Sequence, residues 1–139
     1  MCVFAYNPDD ECFYIVDEYL ANERTTEKHA EEIQRLIDKW NIDVIFIDAA
    51  AAQMAADFAY TYDISTTKAK KDILPGIVYC QSKIDNGKVY VHQNCTNTLD
   101  ALDQYQWDSK DTLTKDRPLH NEFSHMADAL RYALYTYTL

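Results

Sequence analysis

The residues of this sequence best suited to chemistry begin with His125 and Asp128, in the stretch HMADALRYALY that runs from 125 to 135. On a helix, residues three apart project side by side. Imidazole beside carboxylate can hold a metal ion; the plainer reading is a solvated first turn, where the helix dipole favours an acid. Met126, Leu130, Ala133, Leu134 and Tyr137 share one apolar stripe of that helix, which leaves His125, Asp128 and Tyr132 on a separate flank. A second acid, Asp48, directly follows the apolar run VIFI at 44–47. Ligands in open α/β sheets gather outside strand ends of this kind, although an aspartate there also serves as the N-cap of a helix starting near Ala50. Lys68, Lys70 and Lys71 form a short basic cluster in the loop after DISTT, on the same sheet edge as Asp48, and ordinary solvation accounts for it equally well.

The elements that must position these residues alternate along the chain. CVFAY (2–6) and CFYIV (12–16) read as strands of a hairpin joined by Asn7-Pro8-Asp9-Asp10. Thr25 caps a helix whose Ala30, Ile33, Leu36, Ile37 and Trp40 form one stripe. VIFI lacks alternation, the pattern of a strand buried on both faces. A helix over 51–62, a strand over 64–67, a helix over 72–84 with Pro75 in its first turn, a turn at Asn86-Gly87, a strand over 88–92 and a helix over 96–107 follow. Residues 108–119 are polar and read as a loop before the closing helix. The order predicts an α/β fold, a mixed sheet flanked by helices.

Composition bounds what such a fold can be. A chain of 139 residues, 47% hydrophobic, is long enough for one domain with a sizeable core. Two glycines and three prolines leave little room for linkers, and no repeat is visible. No apolar stretch is long enough to span a bilayer and no leader pattern opens the chain, so the expected location is the cytosol. Cys2, Cys12, Cys80 and Cys95 are scattered without zinc spacing, and read as buried thiols rather than a disulfide framework. The net charge of -10 lies wholly in residues 1–63, with 14 acids and 4 bases, while residues 64–139 hold 9 of each. On charge alone a nucleic-acid partner is disfavoured, because phosphate neutralisation normally calls for a basic surface.

The combination is more informative than its parts. A buried strand ending in aspartate, further α/β units, a basic loop and a closing helix opening H-x-x-D, in that order, resemble the nuclease domain of the large terminase subunit of tailed bacteriophages, which has an RNase H-like fold. FYIVDEYLANERTTEKHAEEI is similar to the family's second and third strand region running into its first helix, VIFIDAAA to its acidic central strand, and SHMADALRYALY to its closing helix. The H-x-x-D-A-x-R-Y pattern is the most specific of these.

The resemblance implies a divalent-metal-dependent DNA endonuclease that cuts concatemeric viral DNA in a bacterial cell, encoded by an infecting phage or a prophage. Asp48 and Asp128 would be metal ligands for Mg²⁺ or Mn²⁺ in a two-metal site, and His125 a further ligand or close support, the three converging on one point. Lys68, Lys70 and Lys71 would contact the phosphates of double-stranded DNA, with Lys110, Lys115 and Arg117 as weaker candidates. An ATPase domain, a small terminase subunit and a portal are the implied partners; the chain itself has no G-x-x-x-x-G-K-[ST] phosphate loop. In the family a first aspartate sits on a strand just upstream of the segment that CVFAY matches, so the resemblance implies an N-terminally incomplete domain over 1–139, with little cleavage expected of it alone. Asp9, Asp10, Asp17 and Glu18 are nearby acids expected to be solvated hairpin residues. The alternatives are an inactive RNase H-like module acting only in interaction, or another RNase H-like nuclease such as a resolvase.

Overall fold

A computed structural model describes residues 1–21, 24–103 and 124–137. The strands are β1 (Cys2–Asn7), β2 (Cys12–Glu18), β3 (Phe46–Ile47), β4 (Thr67–Lys68) and β5 (Val89–Val91). The helices are α1 (Thr26–Trp40), α2 (Ala52–Thr61), α3 (Ile73–Asp85), α4 (helical over the described residues 96–103) and α5 (Ser124–Thr136). The mixed α/β class is as expected. The chain forms two compact units, one of Met1–Leu20 with Asp72–Leu139, the other of Ala21–Lys71.

In the first unit, β1 and β2 pair antiparallel with an irregularity between Val3 and Phe4, and β5 runs parallel to β2, in the order β1-β2-β5. Asn7 and Asp10 accept from the backbone N–H groups of Asp9 and Cys12, and Glu11 takes the left-handed conformation at φ 58°. Side-chain oxygens thus hold the hairpin turn in shape. Strand alternation sends Phe13 and Ile15 inward, where they join Ile77 and Cys80 of α3, Cys95, and Leu130, Ala133 and Leu134 of α5 in one core. Phe4, Tyr6 and Phe13 surround Tyr137 at ring distances of 5.5–6.3 Å, which fastens the end of α5 to the hairpin. Gly87, at φ 68°, supplies the turn between α3 and β5.

In the second unit, Thr25 caps α1 by accepting the N–H of Lys28, and Ala30, Ile33 and Leu36 are buried as the stripe requires. Trp40 departs from that stripe. It is 39% exposed at the last turn, with the Lys39 ammonium 5.2 Å from its ring centre. VIFI also departs from expectation: β3 is two residues long, paired in parallel with β4, and Val44 is 38% exposed. An apolar run without alternation does not by itself say how much of it is covered. Here two residue pairs form the ladder, Phe46 with Thr67 and Ile47 with Lys68, and the N–H groups of Thr67 and Ala69 donate to the carbonyls of Ile45 and Ile47. The strand expected over 64–67 lies at Thr67–Lys68, preceded by the buried Ile64.

None of the four cysteines is in a disulfide, and Cys12, Cys80 and Cys95 are buried. No helix among the described residues is long and apolar enough to cross a membrane.

Candidate metal centre

The amphipathic pattern of α5 places its site residues. Met126, Leu130, Ala133 and Leu134 are each at most 5% exposed, so the helix packs by that stripe. Its neighbouring flank is thereby turned outward: His125 is exposed, and the Asp128 side chain is 31% exposed. The two stand one turn apart on the same helix, in the first unit.

The sequence reading did not anticipate the role of Arg131. Its side chain is 5% exposed, yet it belongs to the same turn as Asp128 and sets one guanidinium nitrogen 3.4 Å from an Asp128 carboxylate oxygen. That distance makes an ion pair rather than a short charge-assisted hydrogen bond. The guanidinium carbon lies 5.1 Å from the Tyr132 ring centre, and the buried Nε has no hydrogen-bond partner among the described residues. Space for this side chain comes from Gly76 on α3, where a Cβ would fall 2.9 Å from Arg131 Cδ and 3.0 Å from Cγ. Glycine inside a helix costs roughly 1 kcal/mol relative to alanine. A glycine inside the first turn of an apolar helix, with no turn of its own to make, is the signal that could have pointed to a close neighbour.

Asp48 lies in the second unit, at the C-terminal end of β3. One carboxylate oxygen accepts the N–H of Ala50 at 3.0 Å, capping a 3-10 turn (Ala49–Ala51) that leads into α2. The capping role is therefore real, and it engages one of the two oxygens in that bond. Because β3 and β4 are parallel with Ile47 opposite Lys68, the chain leaves both strands at the same end. Lys68, Lys70 and Lys71 are exposed there, with Lys68 in β4 itself rather than in the loop where the sequence put it. Lys110, Lys115 and Arg117 lie outside the described residues.

The acids near the hairpin are not simply solvated, which corrects the sequence reading. Glu18 accepts the N–H groups of Asn97 and Thr98 at 3.0 and 2.8 Å, one on each carboxylate oxygen, and so caps α4. Asp17 accepts the N–H of Glu18. Asp10 accepts the Tyr14 hydroxyl, which holds its carboxyl below the ordinary range and pushes the Tyr14 phenol up to about 12.

Carboxylate oxygen and imidazole nitrogen are donors suited to Mg²⁺ or Mn²⁺. Among the described residues, no group of three or more His, Cys, Asp or Glu is gathered to hold an ion. Small donor sets still fit these cations, because Mg²⁺ keeps several waters and takes only one or two carboxylates beside substrate phosphates.

Comparison with known proteins bears on the chain as a whole. Residues 1–136 match the family described as the terminase RNaseH-like domain. The large terminase subunit of Escherichia phage T5 is 39% identical over 134 residues, covering 94% of this chain and 31% of its own. The solved large terminase of a thermophilic bacteriophage superimposes with a TM-score of 0.78 at 23% identity, over 98% of this chain and 36% of that one. The complex of that phage terminase with ATP-γ-S gives the same TM-score at 21% identity. The chain thus spans about a third of the length of these relatives.

Proposed function

The chain belongs to the terminase RNase H-like domain family, and from that membership we propose that it is the metal-dependent DNA endonuclease domain of a phage packaging terminase, cutting concatemeric viral DNA. The observation that carries this reading is Asp128. It is a carboxylate on a helix otherwise committed to the core, held at the surface one turn from the exposed His125, in a chain that matches the family almost end to end.

Asp48 and Asp128 are the carboxylate ligands in this proposal, with His125 as the third donor. Asp48 holds its orientation through the Ala50 N–H, and Asp128 through Arg131. When bound, a pair of Mg²⁺ or Mn²⁺ ions supplies Lewis acidity at the attacking water and at the leaving oxygen of the phosphodiester. Lys68, Lys70 and Lys71 bind backbone phosphates of double-stranded DNA, which offsets the excess of acid elsewhere in the chain. The ATPase part of a large terminase, a small subunit and a portal are the partners proposed, in the cytoplasm of a bacterial cell.

A second reading, an RNase H-like module without catalysis, is favoured by the lack of a three-donor group among the described residues. Calorimetric titration with Mn²⁺ separates the two. The nuclease reading expects binding that falls about tenfold or more in both D48N and D128N. Heat of binding that is absent, or the same in all three proteins, would leave the inactive module.

A further inference from the structure

Resting on the nuclease reading of Asp128, we infer that Arg131 is a positioning residue for that carboxylate, and that position 76 is glycine so that Arg131 can lie where it does. Arg131 does not reach the surface, so it is no ligand for DNA: its side chain is 5% exposed, against 31% for Asp128. Its charge is nevertheless aimed at one described acid, with Nη2 3.4 Å from Asp128 Oδ1. A guanidinium buried this deeply needs a carboxylate to offset its charge, and the carboxylate it uses is one that must itself be held in place to bind an ion. Groups that orient ligating carboxylates typically change metal affinity about 10–100-fold when removed.

Gly76 ties the arrangement to α3. Its backbone is helical and needs no left-handed freedom, so steric room is what its missing side chain provides. Any Cβ at 76 would press on the methylenes of Arg131, at 2.9 and 3.0 Å, and meet Tyr135 at 3.4 Å. Those methylenes carry the guanidinium, so a displacement there is passed on to Asp128. The atoms nearest a Cβ at 76 belong to Arg131 and Tyr135, neither of them a proposed ligand, and the influence of position 76 on metal binding runs through Arg131.

The test is Mn²⁺ binding by the whole chain, read by the electron paramagnetic resonance of free Mn²⁺, with circular dichroism on each variant to establish that it is folded. Expected are a loss of affinity of about tenfold or more in R131Q, partial recovery in R131K, and a smaller loss in G76A. At 3.4 Å the contact is an ion pair rather than a short hydrogen bond, which is why a lysine, keeping the charge, can restore part of it. G76A added to R131Q should cost nothing further, since the side chain through which it acts is gone. A purely structural role would not produce that non-additivity. If R131Q does not fold, the folded G76A and R131K proteins carry the test by the same losses. Unchanged or tighter Mn²⁺ binding in R131Q and G76A, with D128N still weakened, would overturn the inference and leave the nuclease reading standing. Unchanged binding in D128N would overturn that reading, and the inference with it.

Discussion

The end of β2 and the start of α5 each present a carboxylate at the edge of the same core, and they commit it differently. Glu18 has a backbone N–H on each oxygen, from Asn97 and Thr98, and so closes the open end of α4. Asp128 faces a buried guanidinium at 3.4 Å and keeps 31% of its side chain exposed. A carboxylate with a backbone donor on each oxygen is part of the scaffold; one paired with a side-chain charge and partly exposed is the one assigned to the metal in the proposed function. The acids of a sequence become distinguishable only when each oxygen's partner is known.

The contrast is most easily broken at Asp128. D128N leaves the Arg131 charge buried without its carboxylate, and should cost roughly 2 kcal/mol in urea unfolding, less than a fully buried pair because Asp128 is partly exposed. R131M should cost less than D128N, since the remaining carboxylate can hydrate while a buried guanidinium cannot. Equal costs would mean that the pair is not asymmetric in burial as described. E18A comes next, at about 1 kcal/mol, the usual cost of a lost N-terminal cap. Mn²⁺ affinity should be unaffected by it; a large loss of Mn²⁺ binding in E18A would place Glu18 in the metal site and undo the distinction.

The smallest effect concerns a third acid, Asp10, whose partner is a side chain. The Tyr14 hydroxyl lowers the Asp10 pKa from its ordinary 3.8, so this bond stabilises the fold above that pH and its contribution is lost as pH falls through the lowered value. The same bond raises the Tyr14 pKa from 10.0 to about 12, so its contribution is present below pH 10 and lost as pH rises through about 12. Y14F should therefore be slightly less stable than the parent at neutral pH and converge with it at both extremes. Parallel stability curves from about pH 2 to 8 would show that the hydroxyl is not what shifts Asp10.

Local signals were legible in the sequence because they act within a few residues. Thr25 as a cap, the Ala30–Ile33–Leu36 stripe, Pro75 in a first turn, the Gly87 turn and the packing stripe of α5 all depend on neighbours in the chain. The roles of Glu18 and Arg131 were not legible. The partners of Glu18 are 79 and 80 residues away, and the burial of Arg131 depends on a missing side chain on another helix. Residue types and order, read as a family pattern, singled out Asp48, His125, Asp128 and the lysine cluster. The extent of β3 failed for a different reason, since an apolar run records affinity for cover and not the length of the ladder it forms.

The central proposal is that Asp48 and Asp128 are ligands of the same metal centre, and anomalous diffraction from Mn²⁺-soaked crystals of the protein tests it most directly. The account predicts a manganese peak about 2.0–2.2 Å from an oxygen of each aspartate, with His125 beside it and a second peak about 3.5–4 Å away. A peak on Asp128 alone, with Asp48 doing no more than capping Ala50, would contradict it.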